Sequence, residues 1–291
     1  MFFHLLVSGL SNGALYALIA LGLITIYRAT LVVNFAHGEV FMLGAFFGYM
    51  FHVTLGLPYP ISLALAIALS VLLGMVTERI AYRPLIRASV VSLVLASVGF
   101  SFLLKGVARV TWGGTGDYIP FPPVFTFRPI QVFGLLLVPQ NLLILGGALC
   151  FMGILWAFFR FTKLGKMMRA TAENQRAAAL VGIRIERVFA VTWGVGTCLG
   201  AVAGLLMAPV TLLYPDMGST LLIQAFASAI LGGFGSMPGA VLGGFIVGLV
   251  ESLVGGYLGS QLITAAPFVI IIAVLVVRPT GLLGTPATVK V

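Results

Sequence analysis

Charged side chains are scarce in this sequence. Its 291 residues carry 16 basic and 7 acidic groups, 8% in all, against roughly 25% in a soluble domain. A water-soluble globule of this length needs a mixed charged surface, and this chain cannot furnish one. Cysteine is nearly absent. Cys150 and Cys198 stand singly inside apolar runs, which argues for packing residues and against a disulfide or a C-x-x-C metal site. Three histidines, His4, His37 and His52, make no helical metal pair. The nucleophile elbow G-x-S-x-G is missing. Leu164-Gly-Lys-Met167 has the Gly-Lys of a phosphate loop but neither its upstream glycine nor its hydroxyl residue, so a Walker loop is excluded. No cofactor, no metal and no enzymatic chemistry are expected. If ATP drives this chain, another subunit must hydrolyse it.

What is abundant is apolar. Sixty per cent of the residues are hydrophobic and the mean hydropathy is +1.16. A spanning helix needs roughly 20 apolar residues at about 1.5 Å each to cross a ~30 Å hydrocarbon layer. Nine apolar segments can be drawn, at 5–26, 31–51, 60–77, 88–110, 138–160, 188–210, 220–235, 238–258 and 262–277. The expected fold is therefore all-α, a polytopic transmembrane bundle of roughly eight to ten spans, with residues 1–291 as one membrane unit. The first run has no basic n-region and is too long for a signal-peptide core, so it is expected to remain as the first span.

The net charge of +9 is distributed as a membrane protein distributes it, which sets nucleic acid aside. Seven basic residues lie between Arg160 and Arg187 and three between Arg79 and Arg87. With 160–187 in the cytoplasm, 13 basic residues fall inside, counting Arg28, Arg278 and Lys290, against Lys105, Arg109 and Arg128 outside. The positive-inside rule then puts the N-terminus outside and the C-terminus inside.

Two polar segments are long enough to act. The outer one, 111–138, is rich in proline, glycine and aromatic residues, which forbids regular helix; it reads as an ordered cap over the outer mouth or as a connector. The inner one, 161–187, contains good helix formers over 171–181, with Gly182 where a C-terminal glycine cap would sit. A helix of this length cannot cross a membrane. It is a docking element on the cytoplasmic face, or a basic loop held against anionic headgroups.

Polar residues also occur where lipid should be. Asn34-Phe-Ala-His-Gly-Glu39 interrupts the second apolar segment; Asn34 and His37 would share a helix face there, with Glu39 pointing elsewhere. Intramembrane charge is expensive, so such residues face a cavity or a partner. Because Arg28 marks the cytoplasmic edge, this cluster is expected in the inner half, as a pathway or gate lining or as an interhelical hydrogen-bond knot. Glu251 is the other deep carboxylate, read either as a structural partner of Lys105 or Arg109 or as a transport residue.

Glycine is frequent, with 36 residues. Ladders at Gly196, Gly200 and Gly204, and at Gly235, Gly239 and Gly243 beside Gly244 and Gly248, suit close helix packing. Pro238 within Leu231-Gly-Gly-Phe-Gly-Ser-Met-Pro-Gly-Ala240 makes a continuous helix untenable, so a break around Gly235, Pro238 and Gly239, buried in the fold, is expected.

These segments together resemble the shorter of the two permease subunits of branched-chain amino acid ABC transporters. The likeness runs along the whole chain. It rests on Asn34–Glu39 followed by Met42-Leu-Gly-Ala45, on 165–183, on Leu231–Ala240 and on Arg278-Pro-Thr-Gly-Leu-Leu-Gly284. The resemblance implies an importer of branched-chain or related amino acids in the bacterial cytoplasmic (inner) membrane. It also implies a second permease, forming a heterodimer, two ABC ATPases and a periplasmic or lipid-anchored binding protein. It assigns the coupling helix to 165–183. There Arg176, Ala177, Ala178 and Gly182 fit the frame of the wider importer motif, with arginine in place of its acidic residue and without its later Leu-Pro. Related permeases serve urea, short amides and aromatic acids, which leaves the substrate open. A secondary transporter or channel using His37, Glu39 and Glu251 as ion sites is the alternative from another class.

Overall fold

The computed structural model describes residues 2–85, 88–113, 118–124, 130–132 and 135–284. Its elements in chain order are α1 Phe2–Thr30, α2 His37–Tyr49, α3 Tyr59–Thr77, α4 Val90–Trp112, a hairpin of β1 Ile130–Val132 and β2 Leu135–Leu137, α5 Pro139–Phe161, α6 Lys163–Glu173, α7 Gln175–Leu180, α8 Ile185–Met207, α9 Met217–Gly232, α10 Met237–Tyr257 and α11 Ala266–Val277. Each of the nine apolar segments overlaps one of the apolar helices, with ends that differ by a few residues. Six helices, among them α1, α4, α5, α8 and α10, are long and apolar enough to cross a membrane, while α9 and α11 are apolar but shorter. The third span continues past α3 through a π-helical turn to Leu85.

Local chemistry sets the ends. Ser89, Thr162, Asn174 and Ser236 cap α4, α6, α7 and α10 by accepting a hydrogen bond from a first-turn backbone N–H. Each satisfies a donor that the helix itself leaves free. Prolines sit in the first turn of α3, α5, α10 and α11, where the missing N–H costs nothing.

The centre of the bundle is α1, whose residues from Gly13 to Ile26 are all buried. It runs antiparallel to α10, and Gly13 meets Gly248 and Phe245 while Ala17 meets Gly244. On its other side Gly22 approaches Gly196 of α8. Farther along α8, Gly204 lies on the Phe41 carbonyl of α2, with no room for a side chain. Lipid tails are as apolar as leucine, so burial alone cannot hold such helices together; close backbone approach and dispersion do. Cys150 is exposed and Cys198 half-buried, and neither is in a disulfide.

Basic residues collect at one end of the bundle, where α1 and α5 finish and α6 and α7 lie. This is the basic face. The outer segment 111–138 falls partly outside the described residues, at 114–117, 125–129 and 133–134. Within it, Ile119 pairs with Leu213, and Phe121 is buried beside Tyr49, His52 and Tyr59.

The glycine contacts can be tested directly. Gly204→Leu should destabilise the purified chain by about 3 kcal/mol, since overpacking a tight contact costs roughly 1–3 kcal/mol or more. Gly99→Leu, at a position where nothing lies within 4 Å of an added Cβ, should change stability by less than about 0.5 kcal/mol. Thermal melting in mild detergent, followed by size exclusion, distinguishes the two.

Candidate functional site

The Asn34–Glu39 motif is not continuous helix. α1 ends at Thr30, Leu31 takes a left-handed φ of 58°, and 31–36 is irregular before α2 begins at His37. Asn34 therefore shares no helix face with His37, contrary to the expectation from spacing. Its side chain is the reason: Asn34 Oδ1 accepts from the Ala36 N–H at 2.9 Å and from the Tyr82 hydroxyl at 2.9 Å. A short amide that bonds its own backbone two residues on competes with the helix. Tyr82 in turn packs at 4.2 Å, ring to ring, on Trp193 of α8.

The motif's three polar residues face three different neighbours. Asn34 is tied to the π-helical turn after α3. His37, fully buried, sets its ring against Gly22 of α1 and near Gly200 of α8. Glu39, 1% exposed, turns to α4 and α9. Its Oε1 accepts from Ser101 at 2.9 Å and from Ser219 at 3.3 Å, and lies 3.5 Å from the Lys105 ammonium. Lys105 donates to Ser219 Oγ at 2.6 Å and sits 3.3 Å from Asp216. Arg109, one turn on, pairs with Asp216 at 2.6 Å. An unbroken chain of charge thus links α2, α4 and the start of α9.

This arrangement corrects two expectations. Ser219 is 13 residues from Gly232, the basic-face end of α9, or about 20 Å along the helix. Glu39 therefore lies deep in the bundle as seen from the basic face, with His37 nearer to that face, against Gly22 eight residues from the end of α1. Lys105 and Arg109 are engaged by Glu39 and Asp216, so neither partners Glu251. Glu251, 4% exposed, faces Tyr16 of α1 and Gln224 of α9. Sequence reasoning missed Lys105, Ser101 and Ser219 as the partners of Glu39, because contacts across 62 to 180 residues leave no trace in local spacing.

Backbone geometry fixes the position of Glu39. Gly38 of α2 and Gly218 of α9 touch through their carbonyls, so a Cβ on either would collide with the other's backbone. The second oxygen of Glu39, Oε2, faces that crossing and has no hydrogen-bond partner among the described residues.

At the basic face the expected helix over 171–181 is two helices. Asn174 takes an extended conformation and caps α7, its Oδ1 accepting from Ala177 N at 3.0 Å. A side chain that satisfies the backbone outside the helix ends α6 there. Gly182, at φ 85°, closes α7 with Gly182 N to Ala179 O at 3.0 Å and Ile183 N to Ala178 O at 3.1 Å, the paired bonds of a Schellman cap. Gln175 Nε2 donates to Ala29 O at 2.7 Å, tying α7 to the end of α1. Ala178 is buried, whereas Arg176 and Ala177 are exposed. Leu180 and Val181, 88% and 77% exposed, form an apolar knob that the motif frame did not single out.

The glycine–proline break is a turn at the same face. Residues 233–236 connect α9 to α10, with Gly233 and Gly235 at φ 104° and 105°. Pro238 is exposed in the first turn of α10 while Gly233 and Gly239 are buried, so the break is at the end of the bundle with its glycines packed inward. The reason is that the turn joins two short-connected antiparallel helices at their ends. The chain end closes over it: Leu282 N donates to Leu231 O at 2.8 Å and Leu283 N to Gly232 O at 2.9 Å. Two motifs about 45 residues apart are one clasp.

Long apolar helices, interlocked through glycines and crossed by paired buried charges, make this a multi-pass membrane protein whose fold and polar features are those of a transport subunit. The family of the permease component of branched-chain amino acid transport systems matches residues 5–277, and the chain belongs to that family. It is 32% identical over 301 residues to the high-affinity branched-chain amino acid transport permease LivH of Escherichia coli K12, covering 100% of this chain and 98% of LivH. To BraD of Pseudomonas aeruginosa, a permease of the same description, it is 33% identical, with 98% and 97% covered. Among solved structures, PsaBC from Streptococcus pneumoniae in complex with Fab superposes with a TM-score of 0.53 at 13% identity, over 95% of this chain and 93% of that one. That likeness concerns the fold.

The ion pair gives a measurable expectation. Lys105→Met should destabilise the chain by about 3 kcal/mol, because it leaves a buried carboxylate without its cation. Glu39→Gln in the same chain should recover part of the loss. A coupling energy below about 0.5 kcal/mol in the double-mutant cycle would remove the pair from the account.

Proposed function

We propose that this chain is the membrane-spanning permease of an ATP-driven importer for branched-chain amino acids, in the cytoplasmic membrane, with its basic face inward. Residues 1–291 act as one permease unit with no catalysis of their own. The working assembly pairs the chain with a second permease, two ATPases and an external substrate-binding protein. The relatives are permeases rather than enzymes, and the substrate is the one their names carry. The observation that supports the reading best is the knob on the basic face. Leu180 and Val181 are strongly exposed at the tip of a capped helix too short to span anything, on a chain that lacks an ATP-binding loop.

The mechanics follow from the connections. ATPase closure moves α7, whose Gln175 is bonded to the end of α1 and whose glycine cap leads within three residues into α8. α8 carries the motion to α1, α2 and α3, on which it packs through Gly196, Gly204 and the Thr197 hydroxyl bonded to Ser70 O at 3.0 Å. Rigid, glycine-seated helices transmit such displacements rather than absorb them. At the far end the Glu39–Lys105–Asp216–Arg109 chain holds α4 against α2 and α9, and we take it as the outer gate. Glu39 is the gate residue. Asn34 and His37 steady the α1–α2 turn, and Glu251 serves as a buried polar contact between α1, α9 and α10. Gly235, Pro238 and Gly239 anchor the inner clasp.

The test is a knob variant. Leu180→Asp with Val181→Asp, both on exposed positions, should leave melting unchanged, abolish co-purification of the ATPase and cut leucine uptake more than tenfold. Wild-type uptake by that variant, or recovery of the wild-type chain alone from its native membrane in several mild detergents, would overturn the importer reading.

A further inference from the structure

A second site lies between α1, α5, α6 and α10. An apolar groove of about 480 Å³, lined by Leu21, Met152, Trp156 and Leu242 with Phe159 and Met237, opens on the outside of the bundle. Its volume is within the roughly 300–1,000 Å³ of small-ligand cavities. Phe159 and Met237 also line a narrow cleft on the basic face, whose other walls include Thr25, Arg28 and Arg169. The groove and the cleft therefore adjoin. Leu21 is nine residues from the end of α1 and Met152 nine from the end of α5. At about 1.5 Å per residue the groove runs about 14 Å inward from the basic face.

The cleft itself is small, about 10 Å³, and its walls carry two cations. Arg28 and Arg169 come from α1 and α6, and neither forms an ion pair among the described residues. Two guanidinium groups on one cleft repel each other unless something negative sits between them. Glu173, one turn beyond Arg169, is exposed and joins neither. Independently, Thr25 is 2% exposed and lines the cleft, yet its hydroxyl has no hydrogen-bond partner among the described residues. Buried polar groups are normally satisfied. Beside the groove, Arg160 stands 5.7 Å over the ring of Trp156, an aromatic–cation pair of the kind found at headgroup level.

We propose that this composite site binds one anionic phospholipid of the inner leaflet, with its phosphate at the mouth of the cleft on Arg28 and Arg169 and an acyl chain in the Leu21–Leu242 groove. Charge at one end and an apolar slot at the other match that amphiphile and no soluble ion. The bound lipid ties α6, which leads into α7, to α1, α5 and α10, so it braces the element that carries the knob.

The experiment uses the full-length chain purified in mild detergent, delipidated and titrated with phosphatidylglycerol under native mass spectrometry. One lipid should bind at least tenfold more tightly than phosphatidylcholine. Arg28→Gln and Arg169→Gln should each weaken phosphatidylglycerol about fivefold, and Leu242→Trp, which fills the groove from its exposed rim, should weaken it without touching the arginines. Melting curves matching wild type identify the variants that are folded. Equal retention of the two lipids, retention unaltered in all three variants, or full displacement by equimolar glycerol phosphate would overturn the proposal. So would Leu242→Trp keeping the lipid while losing a co-expressed second permease, which would make the groove a subunit contact.

Discussion

In a hydrocarbon solvent the helices cannot gain stability by hiding apolar side chains from water, and the structure rests on how closely their backbones approach. The glycines of α1, α8 and α10 supply that approach: Gly13 on Gly248, Gly22 on Gly196, and Gly204 on the Phe41 carbonyl. Each removes a side chain from a crossing, so that dispersion acts between main chains. α1 can then be buried on every side over most of its length, and the other helices take their positions from it.

The second constraint is electrostatic. A carboxylate at membrane depth is tolerable only with a partner, and Glu39 has Lys105, Ser101 and Ser219. The Gly38–Gly218 contact brings α9 close enough for Ser219 to reach it. Packing and charge are thus one arrangement: a larger residue at the crossing would separate the carboxylate from its donors. Because Asp216 and Arg109 extend the chain toward the surface, the network runs from a buried carboxylate to half-exposed groups, the span on which the proposed gate role rests.

The basic face is organised by side chains that stop helices. Asn174 separates α6 from α7, Gly182 separates α7 from α8, and Ser236 starts α10 after the 233–236 turn. The clasp of Leu282 and Leu283 on Leu231 and Gly232 fixes the ends of α9, α10 and α11 at the level where α7 projects. A membrane protein coupled to a soluble motor needs this combination of a firm floor and a protruding knob, which is the role proposed for Leu180 and Val181.

The sequence by itself determined the membrane class, the apolar segments that became α1–α5 and α8–α11, the cap at Gly182 and the turn before Pro238. These depend on composition, run length and local backbone preference, which act over a few residues. The helix break at Asn174 and the irregular 31–36 stretch were harder to read, since apolar or helix-forming neighbours masked single side chains that bond their own backbone. Only the tertiary structure decided that Glu39 pairs with Lys105 while Glu251 faces Tyr16 and Gln224. It alone decided that Ala178 is buried while Leu180 and Val181 protrude, and that Arg28 and Arg169 line one cleft. Those facts depend on which helix faces come together, and inside a bundle that is uniformly apolar the pattern of hydrophobic residues does not distinguish one face from another.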